Sequence, residues 1–351
     1  MKKFSKNFAC VSYEAGKLEQ ILLFVLKNWG ENLPVALQAR LEKFEESFGL
    51  EVATLCEGKA KFTLILGSDF YAHENANLLA ALAGVIARAT PFRVMLIPPR
   101  TNSLGVAKIC TLSREKKPGK TLGYNEMGEF KFSIFEGDLD AGALNQQEGT
   151  FTSINNEVVP TNAALAHKGY FLNDIANALG LVAKNTIDYT AQLPKEKGYK
   201  GVKFDDLENF YANDGTSHRG YKLEISNFTP KEDIESLFKE KNEPNLKEDE
   251  ALISLANPIN LPSFFANYAS QTAKRAVLYA SSEFMAKFEI SQNEAVILEK
   301  NGQKLAICVE LDSELGGVAA YLGDYDDKLD VSAIFEGKSY ASVKIIKAEN
   351  E

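Results

Sequence analysis

Asn145, Gln146, Gln147, Glu148, Gly149 and Thr150 follow one another inside the stretch ALNQQEGTFTSINNEVVPTNAAL, residues 143–165. Side-chain amides both donate and accept hydrogen bonds, and a glycine lets the backbone approach a ligand closely. Such a loop has the donors to cradle a polar heterocycle and its phosphates. Glu148 suits the donor edge of a guanine-like base but repels phosphate. No Lys or Arg occurs between Asp138 and His167, and burying several negative charges without a cation is costly. The same amides can instead satisfy backbone groups in a packed turn. The charge pattern favours that second role.

Other residue types offer less. There is no GxSxG, HExxH or P-loop sequence. Asp138/Asp140 and Asp324/Asp326/Asp327 are acidic clusters without EF-hand ligand spacing and read as solvated loops. Cys10, Cys56, Cys110 and Cys308 are scattered, with no CxxC, so buried, reduced core thiols are expected rather than a zinc or iron–sulfur site. His73, His167 and His218 are equally isolated and read as loop residues. The turn GSDFYAHEN lacks the GxGxxG glycines and an acid placed for a ribose hydroxyl. It reads as a plain strand-to-helix connection, with Asn75 near the helix start.

Periodic segments must position these residues. Leu18–Trp29 and Val35–Phe48 have helical spacing, the second with Gly49 as its stop. Phe62–Leu66 and Phe92–Ile97 are short apolar runs that read as strands buried on both faces, with Ala76–Ala89 a helix between them. Strand, helix, strand in this order predicts a right-handed βαβ unit and a parallel sheet. Residues 118–139 read as loop. TFTSI and EVVPT flank Asn155-Asn156 and predict a hairpin. Gly169–Gly180 reads as a helix. Within Lys231–Glu250 twelve residues are charged, which reads as a solvated connector. Short strands follow at 252–255, 276–279, 295–298, 304–310, 318–322 and 342–346, with a hairpin signal at Asn301-Gly302, and suggest a small closed barrel.

The chain has 351 residues, a formal charge of −9 and 45% hydrophobic residues. Such an acidic chain repels phosphate backbones, so nucleic acid is not an expected partner. No apolar run approaches the length of a membrane span, and the first residues lack a signal-peptide pattern, so a cytoplasmic chain is expected.

ALNQQEGTFTSINNEVVPTNAAL and the following GYFLNDIANALG resemble a segment of the molybdopterin oxidoreductase superfamily. The C-terminal part, from ANPINLPSFF to QKLAICVEL, resembles that superfamily's dinucleotide-binding barrel, a double-psi fold. Taken with YEAGK and TPFRVMLIPPRTNSLGV, the chain is most similar to the C-terminal part of the G-subunit family of NADH-quinone oxidoreductases, respiratory complex I, in its epsilonproteobacterial form. The resemblance spans residues 11–190 and 250–351.

It implies an α/β fold: a Rossmann-like parallel-sheet domain over 1–194, a charged connector over 195–250 and a double-psi-like barrel over 251–351. It implies a structural, cluster-free part of the peripheral arm of a respiratory NADH (or reduced-carrier):quinone oxidoreductase. Partners would be the other peripheral-arm subunits, on the cytoplasmic side of the inner membrane and with no span of its own. The family's cysteine clusters are missing here, so iron–sulfur centres are expected only in an N-terminal part or in partner chains. Residues 145–150 would be a vestigial pterin-type loop, and no cofactor is expected on this chain. Two other roles remain: a molybdopterin-binding redox subunit, and a free-standing assembly or binding protein of the same fold.

Overall fold

The structure is a computed structural model and describes residues 16–44, 61–98, 101–110, 119–125, 128–134, 137–180, 193–224, 233–256, 276–323, 326, 329 and 331–348. Gly49, Cys10, Cys56, Asp324 and Asp327 lie outside the described residues. The protein is mixed α/β, with parallel strand ladders and a closed six-stranded β-barrel. It divides into two compact units: residues 1–95 with 230–351, and residues 96–229.

The first unit opens with helix α1 (Glu19–Trp29) and helix α2 (Val35–Glu42). Leu22, Leu23 and Leu26 recur at helical spacing on α1 and are buried; Leu37 and Leu41 do the same one turn apart on α2. Strand β1 (Phe62–Leu66), the single turn α3 (Ser68–Tyr71), helix α4 (Ala76–Ala89) and strand β2 (Phe92–Leu96) follow. Leu78, Leu79, Leu82 and Ile86 of α4 share one core with the α1 leucines.

Strands β1 and β2 pair in a two-stranded sheet. They are not buried on both faces as the apolar runs suggested. Phe62 stacks on Phe92 at 4.7 Å, and Trp29 of α1 packs edge-on against Phe92 at 5.4 Å. The opposite face is open, with Ile65 57% and Met95 42% exposed. Thr63 and Arg93 on that face carry the period-2 signal of a half-exposed strand.

The second unit begins with helix α5 (Ser103–Ile109). Residues 118–139, expected as loop, contain three short parallel strands: β3 (Leu122–Tyr124), β4 (Phe130–Ser133) and β5 (Leu139–Asp140). Parallel neighbours usually need a long crossover; here polar side chains tie the strand ends. Asn125, at φ +52°, accepts from the Ile134 N–H at 3.0 Å. The Asp138 carboxylate accepts from the Lys131 N–H at 2.7 Å while its own N–H donates to the Lys131 carbonyl at 2.8 Å. Strands this short show no periodicity, so the sequence exposes only the polar residues that tie them.

Strands β6 (Gly149–Thr152) and β7 (Glu157–Thr161) form the antiparallel hairpin, with Asn156 at φ +59°. Helix α6 (Leu172–Ala178) follows, then the hairpin of β8 (Asn209–Tyr211) and β9 (Ser217–Arg219), then β10 (Tyr221–Lys222), which pairs with β7. Val158, Tyr199 and Leu223 form a small core under this sheet. Gly220 sits at φ +68°, and a Cβ there would lie 1.6 Å from the Val158 carbonyl oxygen. Gly220→Ala is therefore expected to break the β7–β10 pairing and destabilise this unit by about 2 kcal/mol. Loss of hydrogen-exchange protection at Leu223 would show it; full protection would contradict it.

The chain then returns to the first unit through helix α7 (Ile234–Lys239). The charged stretch around α7 is mostly exposed, but it is not only a connector. Ile234, Leu237 and Phe238 pack against the α1/α2/α4 core, and Arg40 of α2 stacks over the Phe238 ring at 3.8 Å. The barrel consists of β11 (Glu250–Ala256), β12 (Leu278–Ala280), β13 (Ala295–Lys300), β14 (Gln303–Leu311), β15 (Ala320–Gly323) and β16 (Tyr340–Lys347). It carries two short helices, α8 (Ser282–Lys287) and α9 (Ser332–Phe335). The closed strand order is β11-β15-β12-β14-β13-β16; β11/β15 and β12/β14 are parallel, and the other pairs antiparallel.

Asn301 and Gly302, both at positive φ, make the two-residue turn between β13 and β14. Ile253, Leu278, Val296, Leu298, Val309 and Leu322 point inward and are fully buried, and Phe284 and Phe335 plug the barrel from α8 and α9. Cys308 faces outward from β14, and Cys110 is likewise exposed, so neither is the buried core thiol expected.

A polar seam joins the helical layer to the barrel within this unit. Ser339 N–H donates to the Ala72 carbonyl at 2.9 Å. Asn75 clamps the backbone of Asn242, donating to its carbonyl at 3.0 Å and accepting from its N–H at 2.9 Å. Glu19, 2% exposed, pairs with Lys241 at 2.6 Å. His73 lies in the turn between α3 and α4, as expected of a loop residue, but it is buried: it is 3% exposed, and its Nδ1 accepts from the Asn75 N–H at 3.0 Å.

Burial holds the His73 pKa below its usual 6.5, against the pull of Glu19 and Glu74; Lys338 adds to the lowering, and the Gly16 backbone opposes it. A histidine with a depressed folded pKa favours folding fully above the unfolded value, and that contribution is lost as pH falls from 6.5 toward the folded pKa. Denaturant titrations across that window should show stability falling with pH, with a smaller fall in His73→Asn. Equal slopes in both proteins would remove His73 from the effect.

Candidate functional site

The loop singled out in the sequence lies in the second unit, between β5 and β6. Residues 144–146 form one turn of 3-10 helix. The Gln146 side chain closes the turn twice: its Oε1 accepts from the Ala143 N–H at 3.1 Å, and its Nε2 donates to the Ala166 carbonyl at 3.2 Å. Gln147 Nε2 donates to the Gly142 carbonyl. The Asn145 carbonyl accepts from the N–H groups of Ala164 and Leu165 at 2.8 and 3.1 Å, while its side chain is exposed. Gly149 and Thr150 are the first residues of β6 and pair with Thr161 and Pro160. Thr161 Oγ1 also donates to the Gly149 carbonyl at 3.2 Å. The loop is thus a cross-braced turn that ties residues 142–150 to residues 160–166.

Beside it is a cavity of about 310 Å³, into which Gln146, Gln147, Glu148, Leu165, His167 and Phe171 all face. The structure therefore brings three of the six sequence-derived residues to one cavity. It places Gly149 and Thr150 in the strand and leaves the Asn145 side chain in solvent.

His167 and Phe171 meet edge to face at 5.6 Å. A Cβ on Gly142 would lie 3.1 Å from both rings. His167 Nε2 is buried and has no hydrogen-bond partner. His167 and Phe171 were missed as site residues because their approach depends on the 142–147 turn, and nothing in their own spacing signals it.

The chemistry available here is limited. The lining carries one carboxylate, Glu148, and no Lys or Arg. A pyrophosphate-bearing ligand would meet a negative charge and no cation, and the Gln146 and Gln147 amides each already give one N–H to the protein's own backbone. The residues present do not fit a pterin dinucleotide.

Two larger cavities lie in the first unit. The larger, about 540 Å³, is a groove between α2 and α7 lined by the apolar Leu23, Leu37, Phe44, Ile234 and Phe238, with Arg40, Lys43 and Glu235 as its charged side chains. Among the described residues no group of three His, Cys, Asp or Glu side chains is placed to hold a metal ion.

Gln146→Ala removes both braces of the turn. It is expected to lower the stability of this unit by about 1–2 kcal/mol, through the unsatisfied Ala143 N–H and Ala166 carbonyl. Urea denaturation measures this, and an unchanged midpoint would show that the braces are dispensable.

Compared with known proteins, the chain matches no family model, and no curated protein matches it.

Proposed function

We propose that this chain is a structural, cluster-free element of the peripheral arm of a respiratory NADH (or reduced-carrier):quinone oxidoreductase. It holds its place there as the C-terminal part of a G-type subunit of the molybdopterin oxidoreductase superfamily. On this reading the N-terminal part is Rossmann-like and the barrel is of the double-psi type. The pattern of two parallel pairs within a closed six-stranded barrel supports the latter.

The observation that carries the scaffold role is the state of the loop. The Gln146 and Gln147 amides, the donors a pterin would need, brace the protein's own backbone. The charge of the adjoining cavity supports the same reading, since its lining holds one acidic side chain, Glu148, and no Lys or Arg. Electrons would then pass through clusters on neighbouring polypeptides, and this chain would fix their spacing. No helix among the described residues is long and apolar enough to cross a membrane, in keeping with attachment through partner subunits.

Molybdenum, iron and oxidised-pterin analysis of the purified full chain tests the proposal. The scaffold role predicts that none is present in stoichiometric amount. Stoichiometric pterin would instead make the chain a redox subunit.

A further inference from the structure

Three buried polar atoms at the seam of the first unit make no hydrogen bond of ordinary geometry within the protein: Glu19 Oε2, His73 Nε2 and Tyr340 Oη; the Gly16 backbone acts on His73, and the Glu74 backbone on Tyr340, only as weaker contacts. Their residues are 2%, 3% and 6% exposed. They come from α1, from the turn between α3 and α4, and from the first residue of β16, far apart in sequence, yet they share one neighbourhood. The His73 and Tyr340 rings lie 5.1 Å apart, and the charge of Glu19 acts on both. Gly16 covers the same point: a Cβ there would sit 3.5 Å from the Tyr340 hydroxyl. Buried polar groups are almost always satisfied, by protein or by ordered solvent.

The hydrogen-bond chemistry of the three atoms is fixed. His73 Nδ1 accepts an N–H from Asn75, so in the neutral ring the proton is on Nε2, which donates. Glu19 Oε2 accepts only, and the Tyr340 hydroxyl can do either. The nearby carboxylates already have ammonium partners: Glu19 has Lys241 at 2.6 Å, and Glu74 has Lys338 at 3.4 Å. An extra cation is therefore not called for, and Glu19 repels an anion. What fits is a small neutral molecule that accepts from His73 and donates to Glu19.

We propose that one ordered water molecule binds here, shared by His73, Glu19 and Tyr340, and is part of the joint between the helical layer and the barrel. A buried water typically makes about three hydrogen bonds to otherwise unsatisfied groups, which is what the three atoms offer. The water links three segments that meet only when the helical layer is docked on the barrel, so its binding and that docking stabilise each other.

A crystal structure of the full chain, at a resolution that shows ordered solvent, tests this. The expected result is a water peak about 2.6–3.2 Å from all three atoms. In Tyr340→Phe crystals the peak should weaken or disappear while the Glu19–Lys241 pair stays in place. The assignment is overturned if no such peak appears and the side chains close directly, His73 onto the Gly16 carbonyl and Tyr340 onto the Glu74 N–H. It is also overturned if the peak touches fewer than all three atoms or refines as a metal cation. The wild-type crystal decides the matter even if the variant does not fold.

Discussion

Lys241→Met is expected to destabilise the first unit by about 3 kcal/mol, because it leaves the Glu19 carboxylate buried without its counter-charge. Glu19 is 2% exposed and the Lys241 side chain 17%, so solvent screens the pair only weakly. Burial alone would lower the Lys241 pKa; the Glu19 and Glu243 carboxylates outweigh it and hold the pKa above its usual 10.5. The sign follows. A lysine with a raised folded pKa contributes its stabilisation fully below 10.5, and that contribution disappears as pH climbs through the folded value.

The companion variant separates lost attraction from stranded charge. Glu19→Gln combined with Lys241→Met should recover most of the loss, since the burial penalty of the lone carboxylate goes with it. Equilibrium urea denaturation of the wild type, the single and the double variants measures both. A single variant as stable as wild type would mean that Glu19 takes up a proton or finds water without cost.

Phe284→Ala should cost more, about 4 kcal/mol. Phe284 is fully buried, plugs the barrel beside Leu278 and Val309, and touches Phe288 at 4.8 Å. It reaches that position because Ser281 caps α8, its Oγ accepting from the Phe284 N–H at 3.0 Å. The barrel wall is closed hydrogen-bonded sheet and cannot easily collapse on the void, so the cavity term should be near the upper end of its range. Phe284→Leu, which refills much of the volume, should lose about 1–2 kcal/mol. Thermal and urea midpoints of the two variants would rank them; equal losses would point to the ring's edge contacts rather than to the cavity.

The sequence made the regular elements legible because their signals are local. Leu22, Leu23 and Leu26 mark α1, and Asn301-Gly302 between two apolar runs marks the β13–β14 hairpin. Three things were hidden for physical reasons. The short parallel ladder of β3, β4 and β5 is held by Asn125 and Asp138, whose partners lie nine and seven positions away. The seam of Glu19, His73, Lys241 and Tyr340 joins residues more than three hundred positions apart, and each looks ordinary alone. The open face of β1 and β2 was misread because Ile65 and Met95 are apolar although exposed, and an apolar side chain does not by itself report burial.

At the candidate site, the sequence picked out Gln146, Gln147 and Glu148, which do share a cavity. What it could not supply was the direction of the amides. Whether Gln146 faces a ligand or the Ala143 and Ala166 backbone is decided by the path of residues 142–166, which becomes visible only when the turn and the β6–β7 hairpin are seen together.

The most direct test of the scaffold role is a tagged pull-down of the full chain from its native membranes, with quantitative mass spectrometry of the captured proteins. The role predicts the subunits of one respiratory NADH- or reduced-carrier:quinone oxidoreductase in near-equal amounts with the tagged chain. Recovery of the chain without those subunits would contradict it.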